Sequence, residues 1–156
     1  MTGHVAQMNI GLLRHPLDDP RTAEFADNAA RVNAIADRSP GFVWRCEDEA
    51  ASLAAEGISL YDGDPCALAT LSVWDSAAAL EHFVMRTVHG AFLKRRTEWF
   101  RPQPDRTYVI WPVEAGRLPT FAEGLARLDL LRANGPSGEA YDFEFLRANA
   151  QTGAIA

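Results

Sequence analysis

His89 is the side chain whose type and position best suit acid–base chemistry in this sequence. It lies directly before Gly90, where two helical segments are expected to meet. On a helix it would share a face with Leu93, Arg96 and Phe100. A neutral imidazole can remove a proton from a phenol or an enol, so we predict that His89 is a general base. The alternative is a histidine that is hydrogen-bonded to nearby backbone.

A second group of candidates occupies alternate positions in segments with the period-two pattern of β-strands. One side of residues 5–13 carries Gln7 and Asn9, and one side of residues 67–74 carries Thr70, Ser72 and Trp74. We expect these sides to share the sheet face that points away from the helices. Trp111 from residues 107–113 and Trp44 from residues 42–46 are expected on the same face.

Apolar walls with a few convergent polar groups are typical of a small-molecule pocket. Asn9, Thr70 and Ser72 would then orient polar groups of a substrate or stabilise an oxyanion, with Asn9 counted among the catalytic residues. The predicted substrate-binding residues are Gln7, Trp44, Arg45, Thr70, Ser72, Trp74 and Trp111. The alternative is that this face is an interface between subunits.

Two basic features have two interpretations each. Arg45 stands within an aromatic strand, where it either anchors an anionic ligand or lies at the strand end. The run Lys94–Arg96 either attracts a carboxylate or phenolate, or forms a solvated helix face.

The elements that must position these residues follow the order β-α-β-β-α-β-α. Strands are predicted at 5–13, 42–46, 67–74 and 107–113, and helices after Asp19, after Asp75 or Ser76, and after Thr120. This order predicts an α+β, ferredoxin-like split βαβ fold, an antiparallel four-stranded sheet with helices on one face. A second subunit would cover the other face. Residues 47–56 form a loop or a short helix, and residues 141–145 add a strand or pack on a partner.

Composition restricts the remaining classes of function. The 156 residues predict one domain, 1–156, with a loose tail from about residue 147. A net charge of −6 argues against a nucleic-acid partner, and the absence of a long apolar run argues against a membrane partner. Without a secretion signal we predict a cytoplasmic protein, in which Cys46 and Cys66 are buried thiols. No metal-ligand spacing and no cofactor fingerprint are present, so we expect neither metal nor cofactor.

Four stretches resemble an uncharacterised bacterial family of dimeric α/β-barrel proteins, a domain of unknown function similar to the antibiotic biosynthesis monooxygenases. They are "NIGLLRHPLDDPRTAEFADNAARVNAIADRSPGFVWR", "LSVWDSAAALEHFV", "HGAFLKRRTEWF" and "GLARLDLLRANGPSGEAYDF". The resemblance covers residues 5–145 and implies a homodimer whose sheets close into a barrel, with a pocket between sheet and helices. Relatives include cofactor-free oxygenases, haem-degrading oxygenases, isomerases and cyclising enzymes, and some relatives have no shown activity.

These observations favour an enzyme that acts on an aromatic or polyketide-like compound. Its reaction would begin with proton abstraction and continue by oxidation, isomerisation or cyclisation. The first alternative is a non-catalytic, small-ligand-binding or stress-related dimer. The second is a haem-binding protein, because haem-degrading relatives use an Asn on the first strand, a Trp and a His. Asn9 fits the first position, whereas Trp74 and His89 supply the residue types at different spacings.

Overall fold

Four antiparallel strands form one sheet in the computed structural model, which describes residues 3–87 and 91–150, with the backbone alone at 87, 91–94 and 150. The strands are β1 (Val5–Leu12), β2 (Phe42–Arg45), β3 (Ala67–Trp74) and β4 (Tyr108–Pro112). Their order in the sheet is β2-β3-β1-β4. The predicted ferredoxin-like class is therefore confirmed, with β1 and β3 as the two inner strands.

Six helices accompany the sheet within the described residues. They are α1 (Ala23–Asp37), α2 (Glu49–Ala55), α3 (Ala77–His82), α4 (Ala91–Trp99), α5 (Phe121–Asn134) and α6 (Phe143–Ala150). A short 3-10 turn precedes α1, and a π-helical turn, Phe83–Thr87, follows α3.

Side-chain caps begin these helices where the sequence predicts them. The Asp19 carboxylate accepts a hydrogen bond from the Arg21 backbone at 2.8 Å, at the start of the turn that leads into α1. Ser76, rather than Asp75, caps α3, since its Oγ accepts from the Ala79 N–H at 3.0 Å. The Thr120 hydroxyl caps α5 in the same way, accepting from the Glu123 N–H at 3.1 Å.

The C-terminal segment differs from its predicted form. Tyr141 makes a single antiparallel bridge with Ile110, and the chain then enters α6 instead of continuing as a strand. Phe143 and Leu146 are buried three positions apart, which is the spacing of one helix face. They pack on this chain's own core, and residues 147–150 are helical.

The strand register defines two faces, because residues paired across antiparallel strands point to the same side. On the first face Trp74 pairs with Val5, Ser72 with Gln7 and Thr70 with Asn9. The second face carries Trp111, paired with Ala6, and Trp44, paired with Val73.

The expectation that Trp44 and Trp111 share a face with Trp74 is therefore wrong. In β2 the register shifts between Phe42 and Trp44. The intervening bulge sends these two side chains to opposite faces although they are two positions apart. In β4 the register against β1 brings Ile110, and not Trp111, opposite Gln7.

Both faces are covered by helices of the same chain. On the first face α1, α3 and α6 pack around Trp74, so the polar side of the strands faces helices and not away from them. The second face packs against α5, whose Phe121, Leu128 and Leu131 are 1% exposed. α5 approaches closely at Gly124, where a Cβ atom would lie 2.5 Å from the Met8 Sδ.

The second face is thus not left open for another subunit, contrary to the expectation from the element order. α2 contributes Leu53 to the same layer, beside the α5 residues. The homodimer implied by the family resemblance stays a prediction.

We expect Glu56→Gln to lower the free energy of unfolding by about 1–2 kcal/mol. The Glu56 carboxylate follows α2 and accepts hydrogen bonds from the Phe121 and Ala122 N–H groups, each at 2.9 Å. It therefore holds the N-terminus of α5, where a negative charge is favourable. Urea unfolding of the variant checks this, with Glu47→Gln as a control on an exposed residue of the same type. Equal losses in the two variants would contradict the role of Glu56.

Candidate functional site

Four neutral polar side chains lie together in the middle of the first face. Asn9 is directly opposite Thr70, and Gln7 is directly opposite Ser72; we call these four residues the polar floor. Asn9 and Thr70 are exposed although they belong to the two inner strands of the sheet. Solvent therefore reaches the centre of a face that helices cover at both ends, and we call the space above the polar floor the hollow.

One end of the hollow is formed by the first aromatic cluster, Phe42, Trp74 and Phe83. The Trp74 and Phe83 rings are stacked, with centroids 4.9 Å apart and planes at 27°. Phe42 meets Trp74 edge-on at 5.4 Å. Trp74 is 1% exposed, so its ring closes this end of the hollow and adds little to its accessible surface.

The other end is formed by the second aromatic cluster, Phe25, Trp99 and Phe100. Phe25 meets Trp99 edge-on at 5.5 Å and Phe100 edge-on at 5.2 Å. α1 joins the two ends, because its early residue Phe25 packs in the second cluster and its late residue Ala36 packs beside Trp74. The polar floor is thus bounded at both ends by apolar aromatic walls.

The polar floor has unused hydrogen-bonding capacity. Ser72 Oγ accepts a hydrogen bond from the Trp74 indole at 3.2 Å, which leaves the hydroxyl proton of Ser72 free to donate. The side chains of Gln7, Asn9 and Thr70 make no hydrogen bond with any residue in 3–87 or 91–150. Together the four residues offer amide and hydroxyl donors as well as acceptors, and none of them carries a charge.

Two arginines lie next to the aromatic clusters, and both have carboxylate partners. Arg45 is ion-paired with Asp37 at 2.7 Å, with its guanidinium 5.7 Å from the centroid of the Phe42 ring. Arg95 lies 4.9 Å from the centroid of the Trp99 ring and bonds to Glu24 and Glu98. The hydrogen bond from Arg95 holds the pKa of the Glu24 carboxyl below its usual range.

The structure brings together only part of the predicted site. Gln7, Asn9, Thr70, Ser72 and Trp74 share the first face, and their roles as binding residues stay predictions. Trp44 and Trp111 belong to the core of the second face, where the Trp111 indole donates to Glu123 at 2.9 Å. His89 and Gly90 lie outside the described residues, so the distance from His89 to the polar floor is not defined.

Apart from Trp74, the aromatic residues that end the hollow are absent from the predicted set. Phe83 has a sequence signal, because its spacing from Leu80 places it on the inner face of the predicted helix. The π-helical turn that begins at Phe83 has no such signal. Turns of this kind are frequent at functional sites, and here one begins at the residue that stacks on Trp74.

Tyr141 makes stability depend on pH in the alkaline range. Burial raises the pKa of its phenol to about 12, because the buried site disfavours the phenolate. The folded state therefore holds this proton more tightly than the unfolded chain, whose tyrosine ionises near pH 10. Stability from this group is complete below about pH 10 and falls by about 2 kcal/mol as the pH rises toward 12.

Tyr141→Phe should remove that part of the decline. Urea unfolding at pH 9 and pH 11.5 measures it, as the difference between wild type and variant at each pH. A decline of the same size in both proteins would show that Tyr141 does not cause it.

The described residues contain neither a metal-type cluster of His, Cys, Asp and Glu nor a helix with the length and apolarity needed to cross a bilayer. Cys46 and Cys66 are free and buried, as predicted. Cys46 packs in the core of the second face and Cys66 beside the second aromatic cluster, so the two thiols belong to different clusters.

Comparisons with known proteins identify a family but no activity. Residues 4–154 match the model of a family described as "Domain of unknown function (DUF3291)". No curated protein matches the chain. Among solved structures, SnoaB, "a cofactor-independent oxygenase from Streptomyces nogalater", is 18% identical, covers 72% of this chain and 94% of its own, and has a TM-score of 0.46. The fold assignment above rests on the strand order and register of the chain itself.

Proposed function

The chain belongs to the DUF3291 family of domains of unknown function, and from this premise we propose that it is an enzyme acting on a planar aromatic or polyketide-like compound bound in the hollow. The observation that carries the proposal is the exposure of Asn9 and Thr70 in the two inner strands. Exposed polar side chains that have no hydrogen-bond partner within the described residues, and that lie between two apolar walls, form the kind of surface that holds a small ligand in one orientation.

The polar floor supplies orientation and charge stabilisation. In the proposed reaction His89 removes a proton from a phenol or enol of the substrate, and the oxygen of the resulting anion accepts hydrogen bonds from the Asn9 amide and the Ser72 hydroxyl. Trp74 positions Ser72, because its indole N–H occupies an acceptor site of the hydroxyl. The anion then reacts onward by isomerisation or cyclisation, or by oxidation with dioxygen as the oxidant.

One observation favours the second candidate function, a binding protein without chemistry. All four residues of the polar floor are amides or hydroxyls that do not titrate, so the floor itself holds no general base. Catalysis would therefore depend on His89. Substitution of this residue is the experiment that distinguishes an enzyme from a binding protein.

The test combines binding with turnover. We expect 2-naphthamide to bind in calorimetric titrations and Asn9→Leu to weaken its binding about 3- to 10-fold, the loss of one neutral hydrogen bond. Asn134→Leu, at the end of α5, is the matched control and should leave binding unchanged. Equal binding by the Asn9→Leu variant and wild type would contradict the placement of the site.

Turnover is measured on a panel of naphthols and hydroxyanthraquinones in air-saturated buffer, by mass spectrometry and oxygen consumption. His89→Ala should abolish product formation and leave the binding of 2-naphthamide intact. If 2-naphthamide binds through Asn9 but no compound of the panel is converted by wild type, the protein is a ligand-binding protein.

A further inference from the structure

Arg45 is the charged residue of the sheet that stands next to the polar floor. It pairs directly with Ser72 across β2 and β3, so its side chain projects from the first face next to the Ser72 hydroxyl. Directly opposed residues in an antiparallel pair have Cβ atoms about 4.5–5.5 Å apart. A free guanidinium at this position would make the hollow a site for an anion, since guanidinium groups match carboxylates well.

The structure directs that guanidinium toward α1. Arg45 Nη1 donates to the Asp37 carboxylate at 2.7 Å and to the Asn33 carbonyl at 3.3 Å. The Arg45 side chain is 15% exposed, so its position is set by packing as well as by charge. Asp37, on the last turn of α1, therefore offsets the positive charge of Arg45 beside the polar floor.

The opposite end of the hollow has the same arrangement. Arg95 lies against Trp99 of the second aromatic cluster and is bonded to two carboxylates, those of Glu24 and Glu98. Arg45 and Arg95 are thus both ion-paired within the protein, and the four residues of the polar floor between them are neutral.

We propose that Asp37 is a specificity-determining residue: by pairing with Arg45 it cancels the charge that the described part of the sheet would present to the hollow, so that the site selects a neutral planar ligand over the anionic counterpart of the same shape. The inference rests on the proposed binding site in the hollow. It names the class of ligand as an uncharged aromatic amide, ketone or phenol, and it excludes aromatic carboxylates as preferred ligands.

Three isosteric probes test the charge of the preferred ligand. Calorimetric titration compares 2-naphthamide, 2-naphthoate and 2-naphthamidine, which are neutral, anionic and cationic at pH 7. Wild type should bind the amide at least tenfold more tightly than either ion. Asp37→Asn should increase the affinity for 2-naphthoate about 3- to 10-fold and leave that for 2-naphthamide unchanged, because Arg45 then carries an unpaired charge.

Two further variants separate charge from structural damage. Glu24→Gln removes a carboxylate from Arg95 but leaves Glu98 in place, so it should not change the ligand preference. The double variant Asp37→Asn/Arg45→Met removes both charges and should restore the preference of wild type for the amide.

The outcomes distinguish this inference from the proposed function. If 2-naphthamide binds in an Asn9-dependent way but 2-naphthoate binds as tightly, or Asp37→Asn leaves the affinity for 2-naphthoate unchanged, the role of Asp37 is overturned and the site stands. If 2-naphthamide does not bind, or binds independently of Asn9, the hollow is not the ligand site and both proposals are overturned.

Discussion

Trp111→Ala is expected to lower the free energy of unfolding by about 3–5 kcal/mol, as large-to-small substitutions of fully buried aromatic residues do. Trp111 is 0% exposed and lies beneath α5, close to Gly124. Its indole N–H also donates to Glu123, whose other partner is Arg117. The substitution therefore removes a large apolar surface and a partly buried hydrogen bond at once. Urea unfolding monitored by circular dichroism measures the loss.

The variant Trp111→Phe tests whether Trp111 is a core residue or contacts the ligand. It keeps most of the ring volume, so the protein should stay folded with a smaller loss of stability. Because Trp111 faces away from the hollow, the affinity for 2-naphthamide should equal that of wild type. A loss of binding in a folded Trp111→Phe variant would place Trp111 in the site instead.

Gly41→Ala is expected to cost about 2–4 kcal/mol, from two effects that add. Gly41 has φ +86°, a conformation that an L-residue adopts only with strain. A Cβ atom there would overlap the Ala79 Cβ and lie 2.5 Å from the Asp75 Oδ1. The Asp75 carboxylate can rotate, but the Ala79 Cβ is fixed to the backbone of α3 and can move only with that helix.

Gly116→Ala is the matched control, since Gly116 has the same φ of +86° with no atom within 4 Å of the added Cβ. It should cost only the conformational strain, about 1 kcal/mol. Urea unfolding of both variants separates strain from overlap. Equal losses would show that the contact between the start of β2 and the start of α3 relaxes around an added methyl group.

Elements whose pattern is local could be predicted from the sequence. The alternation of β3 marks its ends at Ala67 and Trp74, and the hydroxyls of Ser76 and Thr120 stand where caps are needed. The polar floor was predictable for the same reason, because Gln7, Asn9, Thr70 and Ser72 each follow a period of two within a single strand.

Features that depend on pairing between distant segments could not be predicted. Nothing within β2 shows that its register shifts between Phe42 and Trp44, which sends Trp44 to the second face. The position of Trp111 likewise depends on its register against β1. α5 packs on the second face through the close approach of Gly124 to Met8. A glycine within a helical pattern does not indicate which residue the helix will pack against.

The placement of α5 and α6 has a consequence for the order of folding. All four strands are complete at Pro112, whereas α5, which covers most of the second face, and α6, which completes the first, come later in the chain. Until they are made, a nascent or truncated chain exposes Met8 and Trp111 on the second face and Ile110 on the first. Unsealed apolar sheet surface is prone to aggregation. Shortened forms that end after β4 should therefore collect in inclusion bodies, because neither layer is complete without the C-terminal helices.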